Sequence, residues 1–251
     1  MIPRTFLMLA LAMLLAGALP SAPGRAADAM KPAEREAIEQ VIHDYLLKHP
    51  EVVIEALRAG QEAEKAREAA EAKAEIAKRR DELLNDPTSP VGGNPKGDVT
   101  IVEFFDYRCP YCKQMEPGLE ALIKEDPKLR VVYKEFPILG PDSLIASRVA
   151  LAAARQGNDK YLRFHAAMMS TKGQINEAVI LKVAEDSGLD IAKIKADMKS
   201  PEIEALIKKN YELADSLDIK GTPALIIGDS MTPGAVDVAT LRKLVAEARK
   251  S

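Results

Sequence analysis

Residues 99–112 read VTIVEFFDYRCPYC, and this stretch decides the fold. It opens with an apolar run that the charge of Glu103 interrupts, which is typical of a buried β-strand. Pro110 suits the first turn of a helix, where its missing N–H leaves no hydrogen bond unmade. We therefore predict a strand, a CxxC turn, a helix over residues 110–124 and a second strand over residues 129–136.

The chain has two cysteines, Cys109 and Cys112, and both lie in this stretch. A thiol exchanges disulfides as the thiolate, whereas a free thiol with a pKa of about 8.5 is mostly protonated at neutral pH. The start of a helix offers Cys109 free backbone N–H groups and the positive end of the helix dipole. Cys112, one turn later, lies within reach of a mixed disulfide at Cys109. The pair therefore predicts thiol–disulfide exchange, with Cys109 as the exposed nucleophile. The neighbouring Arg108 either stabilises the Cys109 thiolate or is simply solvated.

A CxxC pair is also half of a zinc site, which needs two further Cys or His ligands at suitable spacing. The sequence offers none, because His43 and His49 lie far before the pair and His165 is a single residue in a predicted helical region. We interpret His165 as a packed or surface side chain. Redox chemistry is therefore favoured over metal binding, and we expect no cofactor beyond the Cys109–Cys112 disulfide.

The first residues have the pattern of a secretory signal peptide. Arg4 precedes a short apolar run (FLMLALAMLLAGAL) that small residues follow, whereas a membrane span needs about 20 residues. Cleavage fits after Ala26 or after Ala29, and we assign residues 1–27 to the signal peptide rather than to a buried helix or an anchor. The mature chain is then periplasmic, a compartment where structural disulfides are common. A disulfide between Cys109 and Cys112, however, closes so short a loop that it constrains the unfolded chain too little to have a structural role.

The composition excludes several classes of protein. With 47% hydrophobic and 29% charged residues, the chain is globular rather than disordered or collagen-like. The formal net charge of -3 provides no basic field, so we expect no nucleic-acid partner.

The segments before the CxxC region are helical in pattern. Residues 28–60 carry apolar residues three and four apart, which predicts two short amphipathic helices too small for a core of their own. Their apolar faces must pack on the main domain or on another copy of the chain. Residues 61–85 predict a charged helical linker, either a solvated spacer or a weak coiled coil. A region rich in proline and glycine then marks the catalytic domain, residues 86–251, with a helical insertion at about residues 142–200.

Together these features resemble the DsbA-like periplasmic thiol:disulfide interchange proteins. The matching residues are the Glu-Phe-Phe before the CPYC motif, the long helical insertion, and Gly221-Thr222-Pro223 before a short predicted strand. The resemblance covers roughly residues 86–251. It implies an α/β protein with a thioredoxin fold and a helical insertion, preceded by the N-terminal helical appendage and the helical linker.

The same resemblance implies where a substrate binds. The proline that matches Pro223 is cis in this family and lies beside the CxxC, where it presents backbone groups to the substrate peptide. We therefore assign substrate binding to Pro110, Tyr111, Thr222 and Pro223.

The resemblance also implies a role for Glu103, which lies where the family carries a buried acid near the resolving cysteine. A buried carboxylate has a raised pKa and can take or give the proton of Cys112. We thus count Glu103 with Cys109 and Cys112 as catalytic. The structural alternative is an inward charge paired with a lysine such as Lys134.

The N-terminal part resembles a narrower subgroup, the ScsC-like proteins, in which such helices form oligomers and several CxxC sites face one shared space. We therefore expect a homo-oligomer formed through residues 28–60. The expected function is an exported oxidoreductase for the cysteines of other exported proteins, in the first place a disulfide isomerase, with a membrane redox partner that re-reduces or re-oxidises the CxxC. A monomeric DsbA-type dithiol oxidase and a redox-regulated chaperone or binding protein are the alternatives, because the Pro-Tyr dipeptide does not settle the direction of exchange.

Overall fold

The computed structural model describes residues 31–250, so the predicted signal peptide lies outside the described residues. The described chain divides into two compact units, one up to Gln61 and one from Glu62 onward. Its helices and strands are α1 (Pro32–Lys48), α2 (Pro50–Lys78), α3 (Arg80–Leu84), β1 (Val91–Gly93), β2 (Val99–Phe105), α4 (Pro110–Glu125), β3 (Leu129–Glu135), α5 (Pro141–Arg155), α6 (Asn158–Ser170), α7 (Glu177–Asp186), α8 (Ile191–Asp197), α9 (Pro201–Ser216), β4 (Ala224–Ile227), β5 (Ser230–Pro233) and α10 (Val238–Ala248).

The N-terminal unit exposes most of its apolar side chains. No residue of α1 is buried. The exposed large apolar residues of α1 and of the first part of α2 are Ile38, Val41, Ile42, Tyr45, Leu46, Leu47, Val53, Ile54 and Leu57. The second of the two short helices that the sequence predicted is instead the start of a helix that continues through Gly60 to Lys78. One glycine costs a helix interior only about 1 kcal/mol, and no proline follows to end the helix.

The second unit is built on a five-stranded sheet with the order β1-β3-β2-β4-β5. β2 and β3 are parallel, whereas the other neighbouring pairs are antiparallel. β2 has the bounds that its apolar run predicts, and α4 ends at Glu125 rather than at Lys124. The strand, the CxxC turn, the helix and the parallel strand form the α/β unit of a thioredoxin fold, as expected from the sequence.

Side chains of β2 alternate between two hydrophobic clusters, one on each face of the sheet. Ile101 packs into the cluster that includes Leu119 of α4, and we call this side the α4 face. Phe104 packs into the cluster that includes Leu213 of α9, and we call this side the α9 face. The position of a polar residue in β2 or β3 therefore decides on which face its side chain lies.

Five helices, α5 to α9, lie between β3 and β4 in the chain. α6 matters most for the site, because it buries Tyr161, Phe164 and His165. Within residues 31–250, no helix combines the length and the apolar composition needed to span a membrane.

Candidate active site

The end of β2 positions the CxxC motif at the start of α4. The carboxylate of Asp106 accepts hydrogen bonds from the backbone N–H groups of Arg108, at 2.7 Å, and of Leu139, at 2.9 Å. The Asp106 carbonyl oxygen accepts one from the N–H of Cys109 at 3.0 Å. Cys109 is the N-cap residue of α4 and its side chain makes no capping hydrogen bond. The N–H groups of the first turn and the helix dipole are therefore free to stabilise an anion at Cys109.

The second part of the site comes from the residues before β4. β4 pairs antiparallel with β2, with Ala224 opposite Phe104, so the segment before β4 lies beside the end of β2. The peptide bond between Thr222 and Pro223 is cis, as the resemblance implies. The Cys109 thiol donates a hydrogen bond to the Thr222 carbonyl oxygen, with Sγ and O 3.2 Å apart. The fold thus brings the two distant motifs into direct contact.

The two cysteines differ less in exposure than the sequence suggests. Cys109 was expected to be exposed, and this is wrong, since only 4% of its surface is accessible compared with 0% for Cys112. The Thr222 carbonyl group, which accepts the hydrogen bond from Cys109, also covers its sulfur. Both cysteines are free thiols in this structure.

The surface next to Cys109 holds the other predicted substrate-binding residues. Pro110 and Tyr111 are exposed, whereas Thr222 is partly buried and Pro223 is buried. The Arg108 guanidinium donates to the Leu139 carbonyl oxygen at 2.5 Å, so it holds the loop after β3 instead of being simply solvated. Beside Pro110 lies a cleft of about 440 Å³ whose cationic lining residues are Arg108, Lys113 and Lys172.

Cys112 lies one turn into α4 and is fully buried. Burial raises the pKa of the Cys112 thiol far above its ordinary range, and the nearby charge of Glu103 raises it further. The thiol form is therefore strongly favoured. A base inside the core must take this proton before Cys112 can attack a disulfide.

Glu103 is the candidate for that proton transfer. Its side chain lies on the α4 face, and neither carboxylate oxygen has a hydrogen-bond partner among the described residues. Burial raises the pKa of Glu103 well above its ordinary value, and the charges of Glu116, Glu135 and Cys109 raise it further. Glu103 therefore holds a proton at pH values where an exposed glutamate has lost it. When ionised, Glu103 also raises the pKa of the Cys112 thiol, so the two groups influence each other.

Lys134 does not pair with Glu103, so that structural alternative is wrong. In the register of β2 and β3, Lys134 lies opposite Phe104, which places its side chain on the α9 face. The Lys134 ammonium donates to Ser89 Oγ at 2.8 Å and contacts the Asp86 carboxylate at 3.3 Å. The alternation of side chains along a strand therefore puts the two charges on opposite sides of the sheet.

A buried polar cluster on the α4 face was missed from the sequence. The Glu135 carboxylate accepts hydrogen bonds from the hydroxyl groups of Tyr107, Tyr161 and Ser147, at 3.1, 3.0 and 2.7 Å. Burial raises the pKa of Glu135 to about 8 even though these three hydrogen bonds act to lower it. The Tyr107 hydroxyl also lies 3.2 Å from Nδ1 of His165. His165 is thus a buried member of a polar network rather than a surface residue.

Glu116, on α4 one turn after Cys112, extends this network toward the thiols. Its Oε1 atom lies 3.4 Å from Nε2 of His165, and its Oε2 atom has no hydrogen-bond partner among the described residues. We call Glu103, Glu116, Glu135 and His165 the buried acid cluster. In the described part of the chain, no group of three or more Cys, His, Asp or Glu side chains is arranged to hold a metal ion.

Two protein families match separate parts of the sequence. The family described as DSBA-like thioredoxin domain matches residues 100–246. The family described as Copper resistance protein ScsC N-terminal domain matches residues 34–67. The first match takes in β3, β4, β5, nearly all of β2, the CxxC motif and the helices between β3 and β4, whereas β1 lies before it.

Individual relatives show the same two likenesses. The structure of a thioredoxin-like oxidoreductase from Silicibacter pomeroyi is 46% identical, with a TM-score of 0.66 over 68% of this chain and 98% of that one. Proteus mirabilis ScsC in a transitional conformation is 31% identical, with a TM-score of 0.66 over 88% of this chain and 98% of that one. Thiol:disulfide interchange protein DsbA from Bordetella parapertussis is 28% identical over 142 residues, which are 55% of this chain and 68% of that protein.

The chain also matches part of a much longer protein. Na(+)/H(+) antiporter NhaA 3 from Salinispora tropica is 27% identical over 160 residues, which are 63% of this chain. The chain spans only 24% of the length of that antiporter.

Proposed function

The chain belongs to the family of DSBA-like thioredoxin domain proteins, which are thiol:disulfide oxidoreductases, and we propose that it is a periplasmic disulfide isomerase. Its substrates are wrongly paired disulfides of other exported proteins. The contact between Cys109 and Thr222 carries the proposal, because it sets one thiol at a helix start against the backbone of the loop before β4. An extended client segment that pairs with such a backbone edge brings its own sulfur to Cys109.

The isomerisation begins with the Cys109 thiolate. The thiolate attacks one sulfur of a wrong client disulfide, a mixed disulfide forms at Cys109, and the other client cysteine leaves as a thiolate. That thiolate attacks a further client disulfide, and the exchange continues within the client. Finally a client thiolate attacks the mixed disulfide and expels Cys109. No electrons are transferred overall, so the CxxC pair ends reduced as it began.

When a client does not rearrange, Cys112 releases it from the mixed disulfide with Cys109. In the proposed step Glu103 takes the proton of Cys112, and the Cys112 thiolate attacks Sγ of Cys109. The bond between Cys109 and the client breaks, and the client leaves as a thiolate that takes up a proton. The client has then gained two electrons and the CxxC pair has become a disulfide, so a membrane redox partner must re-reduce it.

The burial of Cys112 favours isomerisation over oxidation. In the oxidase direction a client thiolate attacks Cys109, and Cys112 is the leaving group, which leaves faster when its pKa is low. Burial and the charge of Glu103 raise the pKa of Cys112 instead. Because a thiol with a raised pKa is mostly protonated, Cys112 attacks the mixed disulfide slowly, and a bound client has time to rearrange.

Self-association through the N-terminal unit supports the same assignment. On α1, Ile38, Val41, Ile42 and Tyr45 share one side of the helix, and their exposed fractions range from 46% to 68%. Burying one such side chain contributes about 1.5–3 kcal/mol. We infer that two or three copies pack through this side. Assembly then raises the effective concentration of a second CxxC near a bound client.

Two assays on the full-length protein separate the candidate functions. The reduced protein is mixed with scrambled ribonuclease, and the oxidised protein is mixed with reduced ribonuclease. We expect recovery of ribonuclease activity chiefly in the first assay, and we expect Cys109→Ser to abolish it. Activity confined to the second assay identifies a dithiol oxidase. Protection of a client that survives replacement of both cysteines identifies a chaperone.

Substitutions on α1 test the link to assembly. Val41→Glu places a charge on the shared apolar side, whereas Gln40→Glu places the same charge on the opposite side and serves as the control. We expect light scattering to show a smaller mass for Val41→Glu alone, together with a lower rate of isomerisation. An unchanged mass contradicts the self-association. A monomer with full isomerase activity contradicts the link between assembly and function.

A further inference from the structure

The α4 face contains a histidine that the exchange reaction described above does not use. His165 of α6 is 1% exposed. Four aromatic rings surround its imidazole, with ring centroids between 4.5 and 5.7 Å away: Phe105, Tyr107, Tyr133 and Tyr161. Water cannot reach such a side chain, so its protons must be shared with protein groups.

The two ring nitrogens of His165 face polar groups from two other parts of the chain. Nδ1 lies 3.2 Å from the Tyr107 hydroxyl, which donates its single proton to Glu135. The hydroxyl oxygen is therefore an acceptor toward His165, which assigns a proton to Nδ1. In a neutral imidazole Nε2 then carries a lone pair.

This lone pair would face a carboxylate. Nε2 of His165 lies 3.4 Å from Oε1 of Glu116 and has no hydrogen-bond partner among the described residues. A lone pair and a carboxylate oxygen repel each other in a buried setting, and a buried polar atom without a partner is costly. This repulsion disappears when one proton lies between the two atoms, bound either to Nε2 of His165 or to Oε1 of Glu116.

Glu116 connects this shared proton to the thiol chemistry. It lies four residues after Cys112 on α4, which places both on one side of the helix. The charge of Glu116 is also, after burial, the largest influence on the pKa of Glu103. The pair of His165 and Glu116 is neutral when it holds the proton and carries one negative charge when it does not.

We propose that His165 is a positioning residue for the resolving step, because the proton it shares with Glu116 decides how readily Glu103 takes a proton from Cys112. With the shared proton in place, Glu103 meets no added negative charge and acts as the base toward Cys112. Without it, the Glu116 carboxylate repels ionisation of Glu103, which then keeps its own proton. The proton that leaves Cys112 moves to Glu103 alone, and the shared proton stays between His165 and Glu116.

Several titratable groups face this cluster from the elements packed around it. α4 and the turn before it contribute Cys109, Cys112, Glu116 and Glu120, β3 contributes Tyr133 and Glu135, and the rest are Asp106, Tyr107, Tyr161 and His165. Of these groups, His165 is the one whose side chain has a basic nitrogen. It is therefore the group that can balance the carboxylates.

The inference rests on the proposed exchange function, and rapid mixing of the full-length reduced protein with a fluorescent peptide disulfide tests it. The phase that does not depend on peptide concentration reports resolution by Cys112, and its rate rises with pH as Glu103 loses its proton. Glu116→Gln leaves no negative charge at this position, as the shared proton does in the wild type, so we expect the midpoint of this rise to stay at the wild-type value. His165→Gln leaves Glu116 charged, so we expect the midpoint to move upward by about one pH unit.

The double variant makes the test specific. In the presence of Glu116→Gln, we expect His165→Gln to leave the midpoint unchanged, because no carboxylate remains to share a proton. Asp86→Asn is the matched control, since it alters a buried carboxylate on the α9 face. We expect it to lower the unfolding free energy without moving the midpoint.

The results separate this inference from the proposed function. An unmoved midpoint in His165→Gln, or a double variant whose midpoint stays as high as that of His165→Gln, overturns the role of His165 while the wild type still resolves its mixed disulfide. A wild type without any resolving phase overturns the proposed function itself. If His165→Gln does not fold, Glu116→Asp decides the matter, because it keeps the carboxylate but draws it away from Nε2 of His165. We then expect the midpoint to move upward, and an unmoved midpoint contradicts the shared proton.

Discussion

The two faces of the central sheet both bury titratable side chains, but in the described chain the α9 face is the one that pairs a buried carboxylate with lysines. On the α9 face the fully buried Lys134 contacts Asp86 at 3.3 Å, and Lys209 contacts the same carboxylate at 3.0 Å. Burial acts to raise the pKa of Asp86, but hydrogen bonds from Thr88 and Lys209 outweigh it and hold this pKa well below its usual range. The charged form of Asp86 is therefore part of the folded state.

On the α4 face the carboxylate of Glu103 has no hydrogen-bond partner among the described residues, and burial raises its pKa. A carboxylate paired with lysines stays ionised and stabilises the fold, whereas one without a cation beside it keeps a proton at neutral pH and can exchange it. Glu135 fits this rule, because its three partners are uncharged hydroxyl groups and its pKa is raised to about 8. A cationic partner, rather than burial alone, therefore distinguishes a structural carboxylate from a chemical one.

The largest effect is expected on the paired face. Lys134→Met removes one cation from a buried ion pair, and Lys209 is then the lysine that still contacts Asp86. We expect the free energy of unfolding to fall by about 3 kcal/mol, the lower end for such a change because Lys209 still contacts Asp86. Urea denaturation measures this loss. The rate of mixed-disulfide resolution in the folded variant should stay unchanged, and a slower rate contradicts the division between the faces.

Glu103→Gln is the matching change on the unpaired face. Glutamine keeps the shape of the side chain but cannot exchange the proton of Cys112. We expect resolution of the mixed disulfide to slow by about 100-fold, whereas the first attack by Cys109 keeps its rate. Because the unfolded glutamate is ionised at neutral pH whereas the folded one keeps its proton, the variant removes this cost, so we expect the free energy of unfolding to rise at pH 7 and to change little at pH 4. Stopped-flow kinetics and urea denaturation together check this pattern, and equal slowing of both steps would contradict it.

The raised pKa of Glu135 predicts a pH dependence of stability on the same face. Between the ordinary value of 4.5 and about 8, the unfolded glutamate loses its proton while the folded one keeps it. The free energy of unfolding therefore falls as pH rises through this range, by up to about 1.4 kcal/mol per pH unit from this group. In Glu135→Gln the free energy of unfolding should fall less steeply with pH. The slope that remains should come from Glu103. Identical slopes in the wild type and the variant would show that Glu135 ionises normally.

An exposed ion pair provides the small effect against which the buried groups are judged. Arg242 contacts Glu125 at 2.7 Å, and each side chain is about half exposed. We expect Arg242→Met to change the free energy of unfolding by about 0–1 kcal/mol, since water and salt screen such pairs. A loss as large as that of Lys134→Met would mean that burial is not what separates these interactions.

The elements around the CxxC motif were predictable because their signals are local. An apolar run gives β2 its bounds, and Pro110 marks the first turn of α4. The buried acid cluster also left a trace in the sequence. Glu135 ends an apolar strand much as Glu103 interrupts one, and Glu116 follows Cys112 at helical spacing.

The partners of these charges were not predictable, because they come from distant parts of the chain. Asp86 meets Lys134 across 48 residues, and Tyr107 meets His165 across 58. Strand alternation assigns a charge to a face only after the register of β2 and β3 is known. The burial of Cys109 depends likewise on the distant Thr222 carbonyl, which a CxxC motif alone does not reveal.

Limited alkylation of the reduced protein tests most directly the claim that Cys109 attacks and Cys112 resolves. Iodoacetamide is added below one equivalent, and fragment ions of the tryptic peptide CPYCK, which follows Arg108, show which sulfur is modified. We expect modification at Cys109, which lies at the start of α4, and protection of Cys112 until the protein unfolds. Preferential modification of Cys112 in the folded protein would contradict it.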